Sequence, residues 1–515
     1  MRKDYSPRTL HFWLLVVFLV AVLLRGVHYF GRSSMWLDEL ASAFNISERS
    51  FYQLATESLD FNQVAPLGFL WLQKTATLLF GVNDHAYRFF SFVLSLLSLV
   101  LFLSICKNFL KGLPLLGAFA LFAFSIAMVF YGGESKQYSG DVTAALFLVW
   151  SSLQLIKGEL KPSQLWVLCI GGFLLIFCSM PAVVLAPFVL GMVLLQLVKK
   201  KTALPIRQFA FIAASWAFAC LLLSYYAKFV ISTGTQEAMS DYWSRGFAPL
   251  TSVPDFLLWI PVKLHKELSF SLAWFATDEI PQLNFIAWAL LILSVPGIFY
   301  LQKQFGVATT MLLAPVIVAL ALAIFRILPF DGRVSIYATW PFLVTGLAGI
   351  VALTQWAPKI VSPGISAGLT LLVSLPIGLL LIGVPSLHPP YNSQSAQPVL
   401  RELKKQLQPD DIVYVYFKSN YAMRFYGPEE GITNYVAGRG YATADSILRE
   451  IDSFKGRNRV WFFFTQWTRK QPFPDTIKAY MGTVIGKQIG YIPDPDGNTA
   501  DIEAAAYLYD LSGRD

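Results

Sequence analysis

Charge is scarce in this chain. Asp, Glu, Lys and Arg make up 14% of its 515 residues, and 55% are hydrophobic. A soluble globular chain carries about 25% charged residues, so a water-facing surface over the whole molecule is excluded and a polytopic membrane protein is expected. Cysteine is scarcer still. Cys106, Cys169, Cys178 and Cys220 all lie in or at the ends of hydrophobic runs, with no Cys-x-x-Cys pair. That excludes a disulfide framework and a thiolate metal site. There is no convincing internal repeat, the mark of many secondary transporters. The net charge of +8 comes from residues scattered between hydrophobic runs. It therefore reads as basic loops, and nucleic acid is not an expected partner.

What is present is a series of apolar runs. About eleven transmembrane helices are expected: Leu10–Phe30, Tyr87–Ile105, Leu113–Phe130, Val142–Ile156, Leu165–Met180, Ala182–Val198, Phe209–Ile231, Asn284–Leu301, Val307–Leu328, Val334–Leu353 and Ile365–Val384. The first is too long for a cleaved signal peptide and lacks a small-residue cleavage site. Arg2, Lys3 and Arg8 precede it, which puts the N-terminus in the cytoplasm. Pro66–Phe80 is apolar but short and broken by Gln73, Lys74, Thr75 and Thr77. A span needs about 20 residues, so this stretch reads as an amphipathic helix on the outer surface. The charges agree. With that assignment Lys107, Lys111, Lys157, Lys161, Lys199–Lys201, Arg207, Lys303 and Lys359 all fall inside; counting it as a span would invert every one.

Residues 1–387 thus form the membrane domain, with an outer loop at 31–86 carrying juxtamembrane helices. A second long outer loop, Ser232–Leu283, holds Trp243, Trp259, Trp274 and His265, the last read as a surface histidine between Lys263 and Lys266. Residues 388–515 change composition. After Pro389-Pro390, a helix at Val399–Leu407, strands at Ile412–Phe417, Val460–Phe464 and Ala505–Tyr509, and a helix at Ala444–Phe454 read as a small extracytoplasmic α/β domain. It has neither a glycine loop for phosphate nor a metal-ligand cluster, so structure or acceptor recognition is its expected part.

The topology gathers polar residues on the outer side. Asp38 and Glu39 follow the first span in Ser33-Ser34-Met35-Trp36-Leu37-Asp38-Glu39. Arg88 opens the second. Glu134, Lys136 and Tyr138 lie between the third and fourth, and Asp331 and Arg333 between the ninth and tenth. Charge near the bilayer is costly and is usually kept for a reason. Cations suit a phosphate and a carboxylate suits proton abstraction from a hydroxyl. Each residue alone has a plainer reading. Asp38 would suit the first turn of a surface helix, Arg88 a side chain snorkelling at a helix end, Lys136 a pair with Glu134, Tyr138 an interface anchor, and Arg333 a pair with Asp331.

Several motifs carry a resemblance: Trp36-Leu37-Asp38-Glu39, Ala65-Pro66-Leu67, Phe80-Gly81, Tyr87-Arg88-Phe89-Phe90-Ser91, Tyr131-Gly132-Gly133-Glu134-Ser135-Lys136-Gln137-Tyr138, then Arg333 and Pro341. In order and spacing they resemble the GT-C glycosyltransferases of the protein O-mannosyltransferase and aminoarabinose-transferase type, over roughly Leu10–Leu353. The resemblance implies sugar transfer from a polyprenyl-phosphate donor at the outer face of the bacterial cytoplasmic membrane. It implies Asp38 and Glu39 as catalytic residues, Arg88, Lys136 and Arg333 at the donor phosphate, and Glu134 and Tyr138 toward substrate. Some family members bind a divalent metal beside the carboxylates; for this chain the cofactor is left open, as are the sugar and the acceptor. The chain departs from the family in Ala65, where proline is frequent, in Lys136, where arginine is frequent, and in Ser179 or Met180, where a histidine often stands. The rival classes are a polytopic transporter or lipid flippase and a noncatalytic scaffold.

Overall fold

The computed structural model describes residues 7–31, 34–273, 282–384, 387–391, 394–440, 444–467, 472–495 and 503–513. Arg2, Lys3 and Trp274 lie outside them. The chain divides into two compact units: the described residues up to Phe30 with Asn45–Pro389, and Gly31–Phe44 with Pro390 onward.

In chain order the helices are α1 (Pro7–Gly31), α2 (Leu37–Glu48), α3 (Phe51–Thr56), α4 (Leu67–Phe80), α5 (Asp84–Phe109), α6 (Gly112–Ala123), α7 (Ile126–Gly132), α8 (Tyr138–Lys157), α9 (Pro162–Trp166), α10 (Gly172–Phe177), α11 (Ala182–Val198) and α12 (Ile206–Phe229). There follow α13 (Thr233–Tyr242), α14 (Val253–Ala273), α15 (Gln282–Phe305), α16 (Val307–Ile324), α17 (Pro341–Trp356) and α18 (Pro363–Gly383). Local sequence sets many of the starts. Asn83 caps α5 by accepting from the Ala86 amide, Ser362 caps α18 ahead of Pro363, and Ser50 with Gln53 forms a reciprocal box at α3.

Among the described residues eight helices are long and apolar enough to cross a membrane, or nine if a bent pair counts as one. Two shorter apolar helices, Pro162–Phe177 and Ala182–Val198, occupy the fifth and sixth expected positions. The bent pair is α6 with α7, at 47°. The expected third span is therefore broken. Phe124 ends α6, and Ser125 restarts the helix by accepting from the Met128 amide while donating to the Ser271 carbonyl. The expected fourth span also starts earlier than its apolar run, at Tyr138, so Ser139 and Asp141 are helical and buried. The expected ninth stops earlier, at Ile324. The stretch after Pro66 is indeed a separate 14-residue helix, α4, with Leu67, Phe69, Leu70 and Gln73 buried and Leu78, Leu79 and Phe80 exposed.

Small residues bring helices close. A Cβ at Gly297 of α15 would sit 1.9 Å from the Thr345 carbonyl oxygen of α17, and one at Gly349 would sit 1.9 Å from the Leu293 oxygen. Lipid gives helices no hydrophobic drive to associate, so such backbone approach, with Thr345 Oγ1 donating to Ser294 Oγ at 2.8 Å, holds the pair.

The second unit carries α19 (Ala396–Gln406), β1 (Ile412–Val415), α20 (Asn420–Tyr426), β2 (Val436–Ala437), α21 (Ala444–Ile451), β3 (Val460–Trp467), α22 (Pro472–Tyr480), β4 (Lys487–Ile492) and β5 (Glu503–Asp510). The sheet order is β2-β1-β3-β5-β4. β1 runs parallel to β2 and β3, while β5 is antiparallel to β3 and β4. Val460–Phe464 is a continuous apolar run because this central strand is buried on both faces. The two edge strands lack that signal: Val436 and Ala437 are exposed, and β4 begins with Lys487 and Gln488. Sequence reading accordingly missed both. The Gly31–Phe44 segment is bound into this unit: Met35 N donates to Tyr426 Oη at 2.7 Å, Gln394 Nε2 to Met35 O at 3.1 Å, and Gln397 N to Ser34 Oγ at 3.0 Å.

Candidate functional site

In the membrane unit, the turn between α7 and α8 is the centre of a buried polar cluster. Glu134 and Ser135 are fully buried and Lys136 is 6% exposed. The turn is held from several sides. Gln73 of α4 donates to Ser135 Oγ at 2.7 Å and to the Tyr87 carbonyl at 3.1 Å. Ser91 of α5 donates to the Lys136 carbonyl at 3.1 Å, and Ser139 donates back to the Ser91 carbonyl at 3.0 Å. Lys136 Nζ donates to Gln63 Oε1 at 2.6 Å. Arg88 lies on the same turn of α5 as Tyr87 and Ser91 and has no exposure, so it does not snorkel to water.

Arg333 arrives from the turn between α16 and α17. Its guanidinium carbon is 5.8 Å from the Tyr138 ring centre and 5.6 Å from that of Trp243, within the range of cation–π attraction. Tyr138 itself is buried edge-to-face against Tyr131, at 5.1 Å, rather than anchored at an interface. The pairing of Arg333 with Asp331, open in the sequence, is not what forms. Asp331 is taken by Lys263 at 2.9 Å and Lys266 at 3.3 Å. Asp331 feels burial, but the two ammonium groups outweigh it and hold the carboxyl below its ordinary range.

Asp38 and Glu39 belong to the other unit and open α2, both in its first turn. Negative charge there favours the helix N-terminus. Glu39 is fully buried, and its Oε2 accepts from the Trp36 amide at 3.3 Å, half of a capping box. Asp38 is half-buried and starts a helix, as its plainer reading had it.

Sequence reading missed several buried groups. Glu267 is 1% exposed, lies 3.5 Å from Lys263 and accepts from Ser335 Oγ at 2.7 Å. Burial pushes its carboxyl up, opposed by Lys263 and the Ser335 hydroxyl. Its helix, α14, falls inside what read as a loop. Four charges in Val253–Ala273 spoil its apolar signal while marking it as an amphipathic helix. Asp141 accepts from Ser179 Oγ at 2.6 Å, so one residue at the expected histidine position meets a buried carboxylate. His265 is half-buried and stacks on Trp288 at 4.2 Å, rather than lying free at the surface. Among the described residues no three His, Cys, Asp or Glu side chains converge to hold a metal ion.

Apolar spanning helices and a small sheet-bearing unit make this a polytopic membrane protein, with a fold of the GT-C kind that the first of the following comparisons shows. The chain superposes on the apo structure of ArnT from Cupriavidus metallidurans with a TM-score of 0.50 at 12% identity, covering 97% of this chain and 98% of that one. The same protein bound to undecaprenyl phosphate gives 0.48 at 12% identity, covering 96% and 98%. The apo oligosaccharyltransferase of Archaeoglobus fulgidus gives 0.49 at 11% identity, covering 89% and 70%. No family model matches the chain, and no curated protein does.

Proposed function

We propose that this chain is a membrane glycosyltransferase. It moves a sugar from a polyprenyl-phosphate donor to an acceptor at the outer face of a bacterial cytoplasmic membrane. The observation that carries the reading is buried Arg88 and the buried Glu134, Lys136 and Tyr138 of one turn, with half-buried Arg333 against Tyr138, on a GT-C fold. Three cations at one polar cluster suit a lipid phosphate, and the order of the sequence motifs supports that donor. The N-terminus is assigned to the cytoplasm. Lys157 Nζ donates to Asn108 Oδ1 at 3.0 Å, which supports one basic end shared by the connections after α5 and α8.

In the proposed reaction Asp38 takes the proton of the acceptor hydroxyl. The hydroxyl oxygen bonds to the anomeric carbon as the bond from that carbon to the phosphate oxygen breaks. Polyprenyl phosphate leaves with the electron pair, and direct attack inverts the anomeric centre. Arg88, Lys136 and Arg333 stabilise the charge growing on the phosphate. Glu39 and Glu134 orient the acceptor and the binding turn, and Tyr138 contributes to the substrate wall. Residues 388–515 are assigned to the outer side, where they serve acceptor recognition.

The test uses the full chain in lipid nanodiscs or vesicles with a labelled polyprenyl-phosphate sugar. Turnover to a glycosylated acceptor supports the enzyme; movement of the lipid across vesicles without bond cleavage identifies a transporter, and binding alone a scaffold. Asp38→Asn is expected to lower turnover about 10²–10⁴-fold, the usual worth of a positioned base. Full activity in a folded Asp38→Asn protein removes the assignment.

A further inference from the structure

Arg333 does not hold its place by its own contacts alone. Its turn is built on a buried charged network contributed by α14. Lys263 and Glu267 are 6% and 1% exposed. Lys263 Nζ lies 2.9 Å from Asp331 and 3.5 Å from Glu267. Ser335 Oγ donates to Glu267 Oε2 at 2.7 Å and lies 3.0 Å from the Gly332 carbonyl oxygen. Asp331 and Ser335 bracket Arg333 on either side, so α14 grips the turn at both ends. Gly332, at φ +51°, supplies the left-handed residue that the turn requires.

The same turn is tied to Trp243. Phe330 N donates to the Gly246 carbonyl at 2.9 Å, and a Cβ at Gly246 would lie 2.6 Å from Pro329 Cβ and 3.1 Å from Asp331 Cβ. The backbone after Trp243 therefore lies directly against the backbone before Arg333. Two connections far apart in sequence meet at one guanidinium, which also lies near the Tyr138 ring.

A buried ion network is seldom the most stabilising use of such a site; apolar side chains of equal volume often do as well or better. What the network does provide is a fixed geometry. We propose that Glu267 is a positioning residue for Arg333: with Lys263, Asp331 and Ser335 it locks the Asp331–Gly332–Arg333 turn so that the guanidinium stays beside Tyr138 and Trp243, where it would meet the donor phosphate. This rests on the reading of Arg333 as a phosphate ligand. Small misplacements of such a group are costly; 1 Å can lower a rate about 10²-fold.

The experiment measures donor KM, acceptor KM and kcat in nanodiscs for Glu267→Gln, Ser335→Ala, Arg333→Ala and the double variants Glu267→Gln/Arg333→Ala and Ser335→Ala/Arg333→Ala. Ser335→Ala removes one hydroxyl without unpairing a charge, and so serves where Glu267→Gln folds poorly. Glu267→Gln is expected to raise donor KM on the order of tenfold, and Ser335→Ala about threefold, with acceptor KM changed less than about twofold. Neither change should add to that of Arg333→Ala, because groups acting through one residue are non-additive. Arg333→Ala with an unchanged donor KM removes both this proposal and the phosphate role of Arg333. Arg333→Ala with a raised donor KM, while Glu267→Gln and Ser335→Ala leave it unmoved or add independently, overturns the positioning role alone.

Discussion

Besides its hydrogen bonds, the turn that carries Glu134 and Lys136 makes one close approach that a single methyl group tests. Gly133 ends α7 at φ −105°, a conformation open to any residue, so its glycine is needed for space and not for backbone freedom. A Cβ there would lie 2.4 Å from Cδ2 and 2.7 Å from Nε2 of His28. The imidazole cannot simply swing aside. Its Nε2 is 3.0 Å from the Phe130 carbonyl oxygen and its ring packs on Phe130 at 5.6 Å. Gly133→Ala is therefore expected to destabilise by about 1–3 kcal/mol through overpacking. A weakened buried hydrogen bond adds about 1 kcal/mol. Displacement of the turn would lower turnover further, on the order of 10²-fold for a shift of 1 Å. The assay pairs thermal unfolding in nanodiscs with turnover of a labelled polyprenyl-phosphate sugar. Two companions sharpen it. Gly140→Ala, whose Cβ would come no closer than 3.5 Å to Leu94, should be neutral or slightly stabilising in its helix. His28→Ala/Gly133→Ala should lose less than the sum of its parts, because the methyl group takes space the ring has left. Wild-type stability and turnover in Gly133→Ala, or strict additivity with His28→Ala, would refute the reasoning.

Three further outcomes follow from other contacts. Gly349→Ala should split α15 from α17, since the added carbon meets a backbone oxygen at 1.9 Å, whereas Gly368→Ala has nothing within 4 Å and should be silent; crosslinking between Ser294 and Thr345 replaced by cysteine reads the difference. In the sheet unit, Asp411 accepts from Arg459 Nε at 2.6 Å and Nη2 at 3.0 Å, and from Trp461 Nε1 at 2.9 Å. Burial alone would raise its carboxyl, but these donors outweigh it and hold it below the usual range. A depressed carboxyl contributes stability that is whole above its unfolded value of about 3.9 and is lost as pH falls toward the folded one. The hydrogen-exchange protection factors of peptides spanning 460–467, corrected for the intrinsic pH dependence of exchange, should therefore fall below about pH 4, and Asp411→Asn, costing roughly 1–3 kcal/mol at neutral pH, should flatten that dependence. Glu267 has the opposite sign: its carboxyl is raised by burial, so the charge costs stability as pH climbs above the ordinary value of about 4.3. Thermal unfolding of Glu267→Gln, scanned from acid to neutral pH, should lack that decline.

The spanning helices were legible because an apolar run long enough to cross a bilayer has few other uses. Glu134, Lys136 and Tyr138 were singled out by the topology, which puts them on the outer side between the third and fourth spans, and the resemblance then covered the whole motif at 131–138. Arg333 was legible through the resemblance and as a charge beside a charge, but its surroundings were not. Its carboxylate neighbour proved to belong to Lys263 and Lys266, and its own surroundings, Tyr138 and Trp243, lie far away in sequence. Glu267 was invisible for a related reason: one carboxylate in an amphipathic helix looks solvated until Ser335 and Lys263 are seen against it. The break at Phe124–Ser125 was hidden because Ser125 restarts the helix through a local cap, and the carbonyl it donates to, that of Ser271, is 146 residues away. The edge strands β2 and β4 escaped because an edge needs no apolar face.

By itself, then, the order of apolar and basic residues determined membrane residence, the approximate places of the spans and which residues were worth suspecting, since transfer free energy and loop charge act on local sequence. Which donor meets which acceptor was decided only by the tertiary structure. Contacts such as Lys136 with Gln63, Arg333 with Tyr138 and Trp243, and Glu267 with Ser335 join residues that no periodicity links. They form because the helix packing brings these chain segments together, and a buried charge or hydroxyl must find its partner there or remain costly.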